Sequence, residues 1–274
     1  YLVWLPNAPP PPGGYPVVFA GHGLNDSRLG GPTLFASAVI GNSAVIAISA
    51  AGHGFGPGSV LRFGLKDGTN LDIPNPGRGS DLNNDGFIGS NEGCVLVQPG
   101  RPAFIRDCLR QTALDYLQLV REVQAGVDID GDGRPDLSPL DLKYIGQSLG
   151  AMYGTIFAAL EPSLESAVLN AGGGWAIETA RYSTAFQPLL RQYFAATYPR
   201  LLETDGSLAD PQTLRHQPVQ ALTNPKSGPI LEALDRALAL EADGAPASFA
   251  PLLKQGTLVG QPIKRVLYQY AQGD

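Results

Sequence analysis

Apolar and polar positions along the chain alternate between short apolar runs and stretches of helical spacing. Runs at 1–5, 15–20, 44–49, 142–145, 164–169 and 265–270 predict strands. The second is almost continuously apolar, as in strands buried on both faces of a sheet. Helical spacing predicts a short helix over 32–40, with Pro32 near its start and Gly41 as its stop, and another over 149–160. A longer helix over 107–124 places Leu109, Ala113, Tyr116, Val120 and Val123 on one face, with Asp107 as its cap. Between 51 and 106 helical periodicity disappears. Residues 60–73 predict a hairpin around Asp67-Gly68, and the rest of that stretch is rich in Gly, Pro and Asn. Residues 175–255 are mostly helical in pattern, including 185–202 and 229–242. This alternation predicts an α/β fold, a mostly parallel sheet flanked by helices. The core is expected over 1–174 and 256–274, with 51–106 inserted and 175–255 forming a helical cap.

Length and charge narrow the function classes. With 274 residues, 43% of them apolar, the chain suits one large domain or at most two. Its net charge is −6 and it has no basic run, which argues against a nucleic-acid or anionic-membrane partner. No apolar stretch approaches the ~18 residues of a membrane span. The chain opens at Tyr1 without a signal peptide, as a processed or trimmed product does. Cys94 and Cys108 flank Pro99-Gly100-Arg101-Pro102. A disulfide across that loop suits a secreted protein; two buried thiols in a cytosolic domain is the alternative.

Chemistry first shows at Gly146-Gln147-Ser148-Leu149-Gly150, a G-x-S-x-G string. The string alone is cheap, but here it ends a predicted strand and opens a predicted helix, the setting of a nucleophile elbow. Flanking glycines allow the sharp turn, which presents Oγ of Ser148 and points the N–H of Leu149 at a developing oxyanion. The bland alternative is a Gly-rich turn with a capping serine.

Two acidic loops carry a second signal. Asp81, Asn83, Asp85, the carbonyl of Phe87 and Glu92 fill the ligand positions of a twelve-residue calcium loop, with Gly86 at its turn. No predicted helix enters it, so a structural Ca2+ site is expected rather than a sensor. Asp128, Asp130, Asp132, the carbonyl of Arg134 and Asp136 repeat the spacing. Position twelve there is Pro139, which leaves Asp141, another residue or water as the last ligand. Plain Asx turns are the alternative for both loops. The second loop precedes the strand that ends at Ser148. Six strand residues at about 3.3 Å each put it roughly 20 Å from the nucleophile, too far to be catalytic.

The strand over 15–20 runs into Gly21-His22-Gly23-Leu24-Asn25-Asp26. With this turn and the elbow together, the chain resembles the α/β-hydrolases, in particular bacterial secreted lipases and esterases. The resemblance covers about 15–50, 107–171 and the last strand, but not 51–106 or the cap. It implies that Leu24 N–H joins Leu149 N–H in an oxyanion hole and that His22 braces the loop. It also implies the chain order serine, acid, histidine. Residues 266–274 resemble the late strand and its acid-bearing turn, so Asp274 is the expected acid. No histidine follows it. His22 and His53 precede Ser148, and His216 lies in the cap, where Asp210 and His216 would sit outside the sheet. The base is therefore expected on a missing C-terminal piece, and this chain on its own is expected to be close to inactive. Phe186 and Tyr193, on a helix of the cap, and Trp175 are candidate walls of an apolar acyl pocket.

These features predict a secreted, periplasmic or cell-surface bacterial serine ester hydrolase, stabilised by two structural Ca2+ ions. Its substrates would be hydrophobic acyl esters, small or polymeric, and its own C-terminal fragment a partner. The competing reading is a non-catalytic calcium-stabilised binding module on a hydrolase fold.

Overall fold

Six strands form one sheet in the order β1-β3-β2-β6-β7-β8. They are β1 (Leu2–Trp4), β2 (Tyr15–Gly21), β3 (Ala44–Ala47), β6 (Leu137–Gln147), β7 (Leu164–Asn170) and β8 (Arg265–Gln269). All pairings are parallel except the edge pair β1–β3. The other two strands, β4 (Val60–Gly64) and β5 (Asn70–Pro74), make a separate hairpin. The computed structural model describes residues 1–30, 41–95, 101, 103–208, 224–255 and 262–270. The helix predicted over 32–40, and Asp210, His216 and Asp274, lie outside these residues.

Alternation along β2 sends side chains to two cores. Val17 and Phe19 join the large cluster beneath α1 (Phe104–Ala125) and α2 (Leu149–Leu160), while Val18 and Ala20 join Val45 and Ala47 on the opposite face. Helix α2 is apolar all round and buried from Leu149 to Ala159, which demands cover on every side. The sheet and α1 supply part of it, and α6 (Pro246–Gln255) supplies more by packing on α2. Within the stretch expected as a cap over 175–255, the last helix therefore packs against the core. The stretch also holds α3 (Ala176–Tyr182), α4 (Gln187–Thr197) and α5 (Ser227–Glu241).

Three boundaries differ from the sequence reading. Helix α1 starts at Phe104, uncapped by any side chain, and Asp107 instead pairs with Arg106 at 2.7 Å inside its first turn. Burial of Ile105 outweighs the absent cap. Strand β6 runs over eleven residues, extended by pairing of Leu137 with Tyr15 across a bulge. The helix predicted over 185–202 breaks at Tyr198, because Pro199 lacks an N–H and disfavours helical backbone before it.

The hairpin stands off the core. Leu61 faces Ile73 and Phe63 faces Leu71 on one side, with Arg62 and Asp72 paired at 2.6 Å on the other. Cys94 and Cys108 form a buried disulfide that ties the end of the insertion to α1. Among the described residues, no helix is long and apolar enough to cross a membrane.

Candidate active site

The turn from β6 into α2 is set by close packing. Ser148 adopts φ 54°, ψ −117°, a backbone region that non-glycine residues occupy only when their surroundings force it. Here Ser148 N–H donates to the Asn170 carbonyl at 2.8 Å, and its own carbonyl accepts from Ala151 at 2.8 Å and Met152 at 3.2 Å. A Cβ on Gly146 would overlap the Gly150 carbonyl, and one on Gly150 would overlap the carbonyl of Gly21. Both glycines of the motif are therefore required by contact. Ser148 makes no side-chain cap bond to α2, so its hydroxyl is not serving as a helix cap.

The turn after β2 lies against this elbow, since a Cβ on Gly23 would sit 3.5 Å from that of Ser148. His22 is fully buried. Its Nδ1–H donates to the Gly23 carbonyl at 2.8 Å, and its Nε2 accepts from Ala50 N–H at 2.9 Å. Burial pushes the imidazole down to about 4, so it stays neutral with both nitrogens engaged. The C=O and N–H of one trans peptide point opposite ways. Fixing the Gly23 carbonyl therefore turns the Leu24 N–H away from the His22 ring. The same logic turns Leu149 N–H away from α2, because the Ser148 carbonyl points into the helix. The chain has an α/β-hydrolase fold.

Leu24, Ser148 and Leu149 line one cavity of about 460 Å3, with Phe186 on its wall. Gln147, Met152, Tyr182 and Tyr270 also line it and were missed in the sequence reading. Gln147 sits inside the motif and Met152 lies one helical turn past Ser148, so both were within reach of it. Trp175 lines a neighbouring cavity that shares Thr179 and Tyr182 with the first. Tyr193 lines neither of these two cavities. It is buried against Phe194 and Tyr198 in the core, as apolar residues at helical spacing usually are.

Neither described histidine is hydrogen-bonded to the serine, since their hydrogen-bond partners are backbone groups. His53 is fully buried with Nδ1 3.2 Å from the Ala51 carbonyl, and burial and the adjacent His22 push it down to about 4. Strand β8 ends beside the site, where its Gln269 carbonyl accepts from Ala171 N–H at 2.8 Å and the next residue, Tyr270, reaches the cavity. Asp274 follows four positions on, outside the described residues.

Glu241, at the end of α5, is a further buried group. Its carboxylate accepts from the N–H groups of Ala176 and Ile177, both at 3.1 Å, and so caps α3. Burial raises it to about 7. Nothing local marks it, because its partners lie 65 and 64 residues away in sequence.

The second acidic loop lies at the far end of β6. Asp128, Asp130 and Asp136 place carboxylate oxygens within 4.8 Å of one another. Asp128 accepts from Gly131 and Gly133, and Asp136 from Ile129 at 2.6 Å. Asp132 accepts from the N–H of Arg134 at 2.8 Å. Asp141 is drawn to Lys143 instead. In the first loop Asp81 accepts from Asp85 and Gly86, Asn83 from Asp85, and Asp85 from Phe87. Glu92 closes that loop onto Leu82 and Gly89. A larger cavity of about 680 Å3 lies beside the second loop, against Pro10–Pro12. At eleven strand residues of about 3.3 Å each, it is about 35 Å from the elbow.

No protein-family model matches the chain, and no curated protein does. Among solved structures it is similar to the acetyl xylan esterase of Paenibacillus sp. R4, at 15% identity and TM-score 0.47 over 98% of this chain and 72% of that one. It is also similar to acetyl xylan esterase 1 of Thermoanaerobacterium sp. JW/SL YS485, at 13% identity and TM-score 0.46 over 98% and 71%. A third is the α/β hydrolase GrgF of Penicillium sp. sh18, at 11% identity and TM-score 0.43 over 97% and 83%. Likenesses this distant do not bear on the chemistry.

Proposed function

We propose that this chain carries the nucleophile and oxyanion hole of a serine ester hydrolase. The observation that carries the reading is Ser148 held at positive φ, its hydroxyl free of capping, on the wall of a cavity shared with the braced Leu24 turn. Oγ of Ser148 attacks the ester carbonyl, and the N–H groups of Leu24 and Leu149 receive the oxyanion. The general base is a histidine outside the described residues, oriented by Asp274. It takes the Oγ proton and returns it to the leaving alcohol, and water then releases the acid. The cavity wall of Leu24, Leu149, Met152 and Phe186 suits an apolar acyl group, from a small ester or a polyester segment.

The two acidic loops offer the hard oxygen donors that Ca2+ takes, supported by the convergence of Asp128, Asp130 and Asp136. Bound Ca2+ would neutralise those carboxylates and stiffen the loops. Two ions would bring the formal charge from −6 to −2. The disulfide and these sites together suit an extracellular protein.

The test is mass spectrometry of the full-length protein before and after a fluorophosphonate, beside Ser148→Ala. One adduct that disappears in the variant is expected, together with a loss of ester turnover on the order of 10⁴–10⁶. An intact protein that takes no adduct would leave only the calcium-stabilised binding module.

A further inference from the structure

Beneath the elbow lies a group of three fully buried tyrosines, Tyr116, Tyr144 and Tyr153, whose rings pack within 6 Å centroid distances of Tyr116. Each hydroxyl reaches a backbone carbonyl, and that of Tyr153 also contacts the hydroxyls of Tyr116 and Tyr144. Tyr116 bonds Ala20 at 2.7 Å, Tyr144 bonds Gly150 at 2.5 Å and Tyr153 bonds His22 at 3.1 Å. Burial pushes all three phenols well above their usual range, so they remain donors at any working pH.

The three bonds are not equivalent. Tyr116 holds a carbonyl inside the β2 ladder, which continues to the Gly21–Gly146 pair. Past that pair the ladder ends, and the turn lies against the elbow without ladder bonds. His22 orients the Gly23–Leu24 peptide from within the turn, and so cannot set the spacing between turn and elbow. Tyr153 lies on α2, the helix that begins at Ser148, and reaches across to the preceding peptide of the turn. Tyr144 fastens the first turn of the same helix through Gly150. Its ring occupies a slot open only because positions 21, 146 and 154 are glycine, since a Cβ at any of them would overlap it.

We propose that Tyr153, seated beside Tyr144, is a positioning residue for the oxyanion pair, tying the nucleophile helix to the turn that carries Leu24. This rests on the serine-hydrolase reading above. Two N–H donors on separate loops must keep one spacing to receive a single oxyanion, and a misplacement on the ångström scale is enough to weaken catalysis strongly.

The experiment compares wild type, Tyr153→Phe and Tyr116→Phe in the full-length protein on a soluble p-nitrophenyl ester. Melting temperature and inhibition by an alkylboronate that mimics the tetrahedral intermediate are measured alongside. Tyr153→Phe is expected to lower kcat about tenfold, keep KM within about twofold and weaken boronate binding by the same factor as kcat. Tyr116→Phe, an equal deletion from the same cluster, is expected to lower the melting temperature comparably and leave kcat within about twofold. If Tyr153→Phe does not fold, Tyr144→Phe carries the same test, with about a threefold loss of kcat expected. Unchanged kcat in Tyr153→Phe, or an equal loss in Tyr116→Phe, overturns the positioning role. Fluorophosphonate labelling of wild type separates the two readings. A labelled wild type with a fully active Tyr153→Phe removes this inference alone, whereas an unlabelled wild type removes both.

Discussion

The two ends of β6 are built on opposite principles. At its carboxyl end the elbow is held by neutral, buried groups: glycines against carbonyls, three tyrosine hydroxyls and an uncharged His22. At its amino end the loop from Asp128 to Asp136 is held by carboxylates that are mostly exposed and accept only from N–H groups a few residues away. The first arrangement exists only when four segments of the chain have come together. The second is complete within nine residues. The elbow should therefore respond to volume and to proton-linked burial, and the loop to cations.

The largest difference is expected from adding one methyl group at each end. Gly150→Ala would drive a Cβ into the Gly21 carbonyl, backbone that has nowhere to move. A loss above about 3 kcal/mol is expected by denaturant unfolding. Gly131→Ala in the acidic loop meets open space and is strained only by its φ of 80°, so about 1 kcal/mol is expected. Equal losses at the two positions would erase the contrast.

Next comes pH. Glu241 ionises at about 7 in the folded chain against 4.5 when free. Folding therefore disfavours the charged form, and the folded state loses stability as pH rises from about 4.5 to about 7. At about 1.4 kcal/mol per unit this amounts to about 3.5 kcal/mol. Glu241→Gln keeps an acceptor for Ala176 and Ile177, so its melting temperature should gain on wild type between pH 5 and pH 8. A difference that is flat with pH would refute the buried carboxyl. His22 and His53 act in the other direction. With imidazoles near 4 against 6.5 when free, they cost the fold stability as pH falls from about 6.5 to about 4.

The smallest effect is expected from chelation. Removing Ca2+ at millimolar concentration should lower stability by about 1.5–3 kcal/mol, read by calorimetry, with kcat unchanged well below the melting temperature. Asp128→Asn should abolish most of that difference. If chelation altered kcat as strongly as stability, the amino end of β6 would not be remote from the chemistry.

What was legible from residue order follows the same division. The G-x-S-x-G string, the Gly21-His22-Gly23 turn, both acidic spacings and the Cys94–Cys108 pair are short patterns, and glycine is demanded where backbones must touch. Strands β2 and β3 were legible for a related reason, since burial on both faces leaves an unbroken apolar run. The misplaced features depend on distant segments. The start of α1 and the length of β6 answer to burial and pairing, and Tyr193 joined the core because α4 packs that way.

The sequence by itself determined which local turns can form and which side chains carry chemistry, because backbone sterics and hydrogen bonds within a few residues act before any tertiary contact. Only the tertiary structure decided that Leu24 meets Ser148, that Tyr153 spans the elbow and the oxyanion turn, and that Glu241 caps α3. Those partners lie far apart along the chain, and only packing of the sheet and its helices brings them together.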